Sequence, residues 1–124
     1  MSLRDDILAI NDVTEELVTI PQWGGKKIKV KSFTAGQRCK LIETCMNKNG
    51  TGVDSQKLYI QTMIASACDP DTDELIFTQA DYEALSGKNS GAVEIIVSAS
   101  HRLNGVSNEA VGEMEKNSDS VTQS

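Results

Sequence analysis

The chain has 124 residues, of which 39% are apolar and 4% aromatic, and its net charge is -6. That length suits one small domain with a core of Ile, Leu, Val, Ala and Met, and no apolar run approaches the roughly 20 residues of a membrane helix. Arg4, Asp5 and Asp6 interrupt the first apolar residues, so no signal peptide is expected, and the acidic balance speaks against non-specific nucleic-acid binding.

Charge is unevenly distributed. Residues 26–40 hold Lys26, Lys27, Lys29, Lys31, Arg38 and Lys40 with no acid among them, so the rest of the chain carries all 18 acids against six bases. The three Cys, Cys39, Cys45 and Cys68, form no C-x-x-C pair. An odd, scattered set fits small buried residues in a reducing compartment better than a disulfide framework or a zinc site.

In chain order, residues 4–11 read as a short helix. Leu3, Ile7 and Ile10 fall at i, i+4, i+7, and Asp5 and Asp6 suit its N-terminal dipole. Residues 17–20 read as a strand that Pro21 confines to a sheet edge or a strand end. Trp23, Gly24 and Gly25 make a turn, and residues 26–33 alternate, with Ile28 and Val30 on one face and Lys27, Lys29 and Lys31 on the other. Thr34 and Gln37 form a capping-box pattern for a helix whose apolar face is expected at Ala35, Cys39, Ile42 and Met46.

Asp54 caps a second helix, running through Ala67, with Tyr59, Ile60, Met63, Ile64 and Ala67 inward. Residues 69–78 read as a polar turn and a short extended piece. Thr78 with Asp81 opens a third helix carrying Tyr82 and Leu85, which Gly87 stops. Residues 90–103 contain Val93, Ile95, Ile96 and Val97, all strand formers. Ala92, Ile96, Ala99 and Leu103 nevertheless share one helical face, which favours a helix with Asn104-Gly105 as its C-cap signal. Ser107 opens a last helix with Ala110, Val111 and Met114 inward, and the polar residues 117–124 are expected to be disordered. The fold expected is α+β, mainly α: an N-terminal β-hairpin followed by four to five short helices in one small domain over residues 17–116, preceded by an extension at 1–16.

Catalytic readings are weak. His101 is the only His, and nothing local pairs it with Cys39 or Cys68. Asp69, Asp71 and Asp73 alternate as at the start of a calcium loop, but Glu74 and Ala80 stand where that loop needs Gly and Glu. "SGKNSG", residues 86–91, lacks the first Gly and the Ser or Thr after Lys of a phosphate-binding loop. No enzyme activity, cofactor or metal is expected. The interaction candidates are Trp23, Lys27, Lys29 and Lys31. Each keeps a plainer reading beside the functional one: Trp23 packing over its own hairpin, and lysines guarding an edge strand against aggregation.

The order of features resembles one family. "TIPQWGGKKIKVKSFTAGQR", "LIFTQADYEAL" and "HRLNGVSNEAVGEMEKN" are similar, in order and spacing, to segments of the tail assembly chaperones of long-tailed phages, with Val106 standing where the family often has Leu. The resemblance spans residues 18–117. It implies a non-enzymatic protein that acts in the host cell cytoplasm and is absent from the mature virion. Its partners would be the tape measure protein, which it keeps soluble, and the major tail tube protein, whose assembly it promotes. It also implies that this chain is the short product of a frameshifted gene. Segregated charge favours head-to-tail self-association into open oligomers. The competing readings are a structural tail or head-tail connector protein, and a small adaptor unrelated to phage.

Overall fold

A computed structural model describes residues 2–105. The last expected helix and the polar tail lie outside them. The elements in order are α1 (Leu3–Ala9), β1 (Glu15–Ile20), β2 (Lys26–Lys31), α2 (Ala35–Cys45), α3 (Ser55–Ser66), β3 (Ala67–Cys68), α4 (Tyr82–Ser86) and α5 (Ser90–Leu103). Short 3-10 turns at Pro21–Trp23 and Gln79–Asp81 link β1 to β2 and lead into α4. The expected small α+β domain with an N-terminal hairpin is the fold observed.

β1 and β2 pair antiparallel, with Val18 opposite Ile28 and Ile20 opposite Lys26. The period of two sends Val18, Ile20, Ile28 and Val30 inward and Leu17, Thr19, Lys27 and Lys29 to the other face. The connection spans five residues rather than a tight Gly-Gly pair. Pro21 starts the 3-10 turn, Gly24 and Gly25 take φ of 69° and 73°, and the Gly25 amide closes the loop on the Ile20 carbonyl at 3.0 Å. Two consecutive left-handed residues explain why glycine occupies both positions.

The sequence reading missed β3. Ala67 and Cys68 leave α3 without a loop and pair with Val30 and Lys29, giving a three-stranded sheet in the order β1-β2-β3. A two-residue strand is too short to show a periodicity. β2, read from sequence as a possible edge, therefore lies between two strands.

α3 and α5 cover the inner face of the sheet. Ile60, Met63 and Ile64 from α3 meet Ala92, Val93, Ile96, Val97 and Ala99 from α5, with Val18, Ile20, Ile28 and Val30 beneath. Full burial of each Ile or Val contributes about 1.5–3 kcal/mol. That outweighs the strand propensity of Val93, Ile96 and Val97 and explains the helix at α5. Asn89 caps α5 by accepting from the Ala92 amide at 3.1 Å. At the far end Asn104 donates to the Ser100 carbonyl and accepts from the Phe33 amide at 2.8 Å, tying α5 to the end of β2.

α2 corrects the sequence reading. Its capping box is formed, with Thr34 and Gln37 exchanging bonds of 2.9 and 3.1 Å. The buried side chains, however, are Leu41 and Cys45, while Ala35, Cys39, Ile42 and Met46 face outward. The helix packs on α3, and Leu41 and Cys45, at i and i+4, share its one buried face. Exposure of Cys39 likewise departs from the expectation of three buried thiols. α1 forms where expected, with Ser2 accepting from the Asp5 amide, but none of its residues is buried.

Candidate functional site

The candidate surface is the outer face of the hairpin, the face that Leu17, Thr19, Lys27, Lys29 and Lys31 share by strand register. Two segments from elsewhere meet it: the turn carrying Trp23, and residues 69–77 after β3. The Leu75 backbone bridges to Cys68, and the Ile76 amide bonds to the Ala67 carbonyl at 3.1 Å, laying Ile76 and Phe77 beside the sheet.

Between them lies a groove of about 570 Å³, with Leu17, Trp23, Ile28, Ile76 and Phe77 as its apolar lining. Lys26, Lys27, Asp69 and Asp71 supply its charged lining. Such a mixture, apolar and aromatic surface beside a few charged groups, is what peptide and protein partners bind. The turn is braced from below: a Cβ at Gly91, in the first turn of α5, would stand 3.0 Å from the Gln22 Nε2.

The four sequence candidates divide in two. Trp23 and Lys27 line the groove. Trp23 does not project free of the body; it is half-buried and packs against the core. Lys29 and Lys31 are occupied within the chain. Lys29 Nζ lies 3.0 Å from Asp73 Oδ1 and 3.7 Å from Glu15, and Lys31 Nζ donates to Asp73 Oδ2. Hydrogen bonds from Lys31 and Lys29 hold the Asp73 carboxyl below the usual carboxylate range, and the bond to Asp73 raises both lysines in turn. Asp73 sits at φ 65°, a left-handed residue in a turn closed by its amide on the Asp69 carbonyl at 2.8 Å. Lys26 and Lys27 form no ion pair among the described residues.

Sequence reasoning missed Leu17, Ile76, Phe77 and Asp73. Leu17 was within reach, because the inward alternation of Val18 and Ile20 sends it outward. Asp73, 42 residues beyond Lys31, carried no local signal.

The acidic triplet is a polar turn, as expected: Asp69 accepts from the Asp71 amide at 2.8 Å, and Asp73 serves the lysines. Burial raises the Cys68 thiol and pushes the Cys45 thiol up to about 11, away from the thiolate that a nucleophile requires. His101 is partly exposed on α5.

Comparison of the sequence with protein-family models and with curated proteins gives no match. Among solved structures the chain is similar to the tail assembly chaperone of bacteriophage HK97. The TM-score is 0.60 and the identity 16%, over 87% of this chain and 100% of that one. At that identity the likeness is one of fold. The resemblance read from residues 18–117 and the solved structure thus meet on one architecture: this chain has the fold of a phage tail assembly chaperone.

Proposed function

We propose that this chain is a non-enzymatic tail assembly chaperone. It binds the tape measure protein, keeps it soluble and promotes assembly of the tail tube around it, acting in the host cytoplasm and leaving before the virion is complete. Self-association presents several copies of the binding surface along a long helical partner. The observation that carries this reading is the fold match over the whole of the HK97 chaperone, reached by a chain whose motifs already follow that family's order.

The groove supports the reading chemically. An amphipathic tape measure segment that cannot bury its own apolar face has a use for Trp23, Phe77 and Leu17, and Lys26 and Lys27 steer acidic neighbours toward them. Because Lys29 and Lys31 are paired with Asp73 and Glu15, the unpaired steering charge is concentrated at the turn.

Deletion of the gene followed by mass spectrometry of purified particles tests the role. A chaperone is required for tails yet absent from finished particles. A stoichiometric amount of this chain in particles would instead make it a structural tail or connector protein.

A further inference from the structure

Two Asn-Gly pairs lie among the described residues, Asn49-Gly50 and Asn104-Gly105. An Asn followed by Gly is the most reactive of Asn dipeptides, because Gly has no side chain to block the approach of its amide to the Asn side-chain carbonyl. The structure treats the two pairs oppositely. Asn104 is half-buried and its side chain is fully used. Its Oδ1 accepts from the Phe33 amide at 2.8 Å, and its Nδ2 donates to the Ser100 carbonyl at 2.7 Å and to Ser100 Oγ at 3.3 Å. To react, Asn104 must give up the tie between α5 and the end of β2.

Asn49 stands in the connection between α2 and α3, and both it and Gly50 are exposed. Asn11, Asn47 and Asn89 each accept from a backbone amide, those of Val13, Thr51 and Ala92, whereas the Asn49 side chain makes no hydrogen bond among the described residues. A Cβ at Gly50 would meet nothing within 4 Å, so the peptide between the two residues is open to water. The Gly50 amide holds one bond, to the Asn47 carbonyl at 3.0 Å. That bond belongs to an exposed turn, which opens at far lower cost than an element of the core.

We propose that Asn49 is a site of spontaneous deamidation and isoaspartate formation. The Gly50 amide nitrogen attacks Asn49 Cγ. A C–N bond forms and closes a five-membered succinimide, the Cγ–Nδ2 bond breaks, and the side-chain amide leaves as ammonia with the proton that Gly50 gives up. Water then opens the ring. Attack at Cγ leaves Asp, and attack at the main-chain carbonyl leaves isoaspartate, in which the chain runs through Cβ and Cγ. Either product adds a negative charge beside Lys48. Isoaspartate also lengthens the main chain by one carbon inside a closed turn. There the Gly50 amide bonds to Asn47, the Asn47 amide bonds to the Gly52 carbonyl at 2.8 Å, and Met46 bridges to Val53. This turn joins α2 to α3, so the modification acts on the seating of Leu41 and Cys45. The site shares no residue with the Trp23 groove and does not rest on the proposed function.

The test ages the full chain at mildly alkaline pH and follows it by peptide mass mapping and by enzymatic methylation of isoaspartate. The peptide holding Asn49 should gain the mass of an amide converted to an acid and should accept the methyl group. The peptide holding Asn104 should convert at least about tenfold more slowly, which corresponds to ~1.4 kcal/mol of extra opening free energy. In urea neither side chain is held, and the two should convert at similar rates. Asn49→Gln, whose longer side chain must close a six-membered ring, should remove the early conversion and keep the melting temperature. Fresh Asn49→Asp, the product without the extra carbon, should melt with the wild type, and the aged, isoaspartate-bearing chain should melt below both. Conversion of Asn104 as fast as Asn49 in the folded chain overturns the proposal, as does an Asn49 that stays intact while the unfolded chain reacts. So does early deamidation that persists in Asn49→Gln. An isoaspartate-bearing chain that melts with the wild type overturns the effect on α2.

Discussion

Asp73 binds Lys29 and Lys31 at once, one carboxylate oxygen to each ammonium, from 44 and 42 residues away in the sequence. That contact ties the loop after β3 to the central strand and holds the acidic side of the groove in place. It also changes the electrostatic picture, because two of the four lysines on the hairpin are paired within the chain, Lys31 with Asp73 and Lys29 with Asp73 and Glu15.

Asp73→Asn tests the clamp. Asn tolerates the left-handed backbone at φ 65°, so the substitution removes charge without adding strain. Because the folded pKa of Asp73 is lowered, its contribution is present above the ordinary carboxylate range of about 3.9 and is lost as pH falls through the lower folded value. Because those of Lys29 and Lys31 are raised, theirs is present below about 10.4 and is lost as pH rises through the higher folded values. The melting temperature of the variant should fall below that of wild type at neutral pH. The two curves should converge below the folded pKa of Asp73 and approach each other in 1 M salt, where the Debye length is about 3 Å. Equal melting temperatures at neutral pH and low salt would show that the clamp is energetically silent.

α2 offers a paired prediction. Leu41→Ala should cost about 2 kcal/mol or more, whereas Ile42→Ala, at a position 37% exposed, should stay within about 0.5 kcal/mol. Urea unfolding of the two variants measures the difference, and the reverse order would put the sequence-read face back in the core.

Asn104→Ala should cost about 1–3 kcal/mol, since it leaves the part-buried Phe33 amide without its acceptor and removes the donor to the Ser100 carbonyl. Chemical denaturation gives the value. Amide exchange at Phe33 should rise in parallel, and an unchanged exchange rate there would mean that the amide finds another acceptor.

These contrasts show where the sequence was legible. The hairpin, the caps at Thr34 and Asp54, and helix α5 follow from local patterns that the fold then satisfied: period two, side-chain oxygens ahead of helix starts, and one continuous apolar face. α2 misled because it carries two apolar stripes, and only its packing partner selects Leu41 and Cys45 over Ile42 and Met46. β3 was invisible because two residues have no period. The groove was half legible: Trp23 and Lys27 were read from the turn, while Ile76 and Phe77 line it from more than fifty residues beyond Trp23, and the Asp73 clamp on Lys29 and Lys31 beside it skips more than forty.

Trp23 is half-buried, packed on the core and lining the groove at once. Trp23→Ala should lower folding stability by about 1–3 kcal/mol, less than the ~3–5 of a fully buried aromatic, because its side chain is only partly covered. The folded fraction should also lose partner binding by about thirtyfold, the scale of an interface anchor. Melting curves and binding on the same sample separate the two effects, and normal binding by the folded fraction would remove Trp23 from the interface.

The central claim is tested most directly by the solubility of the tape measure protein co-expressed with this chain. The tape measure should partition to the pellet alone, to the supernatant with the wild-type chain, and largely back to the pellet with Trp23→Ala or Leu17→Asp at matched levels of folded protein. A tape measure protein that stays insoluble beside abundant, folded wild-type chain would contradict the account.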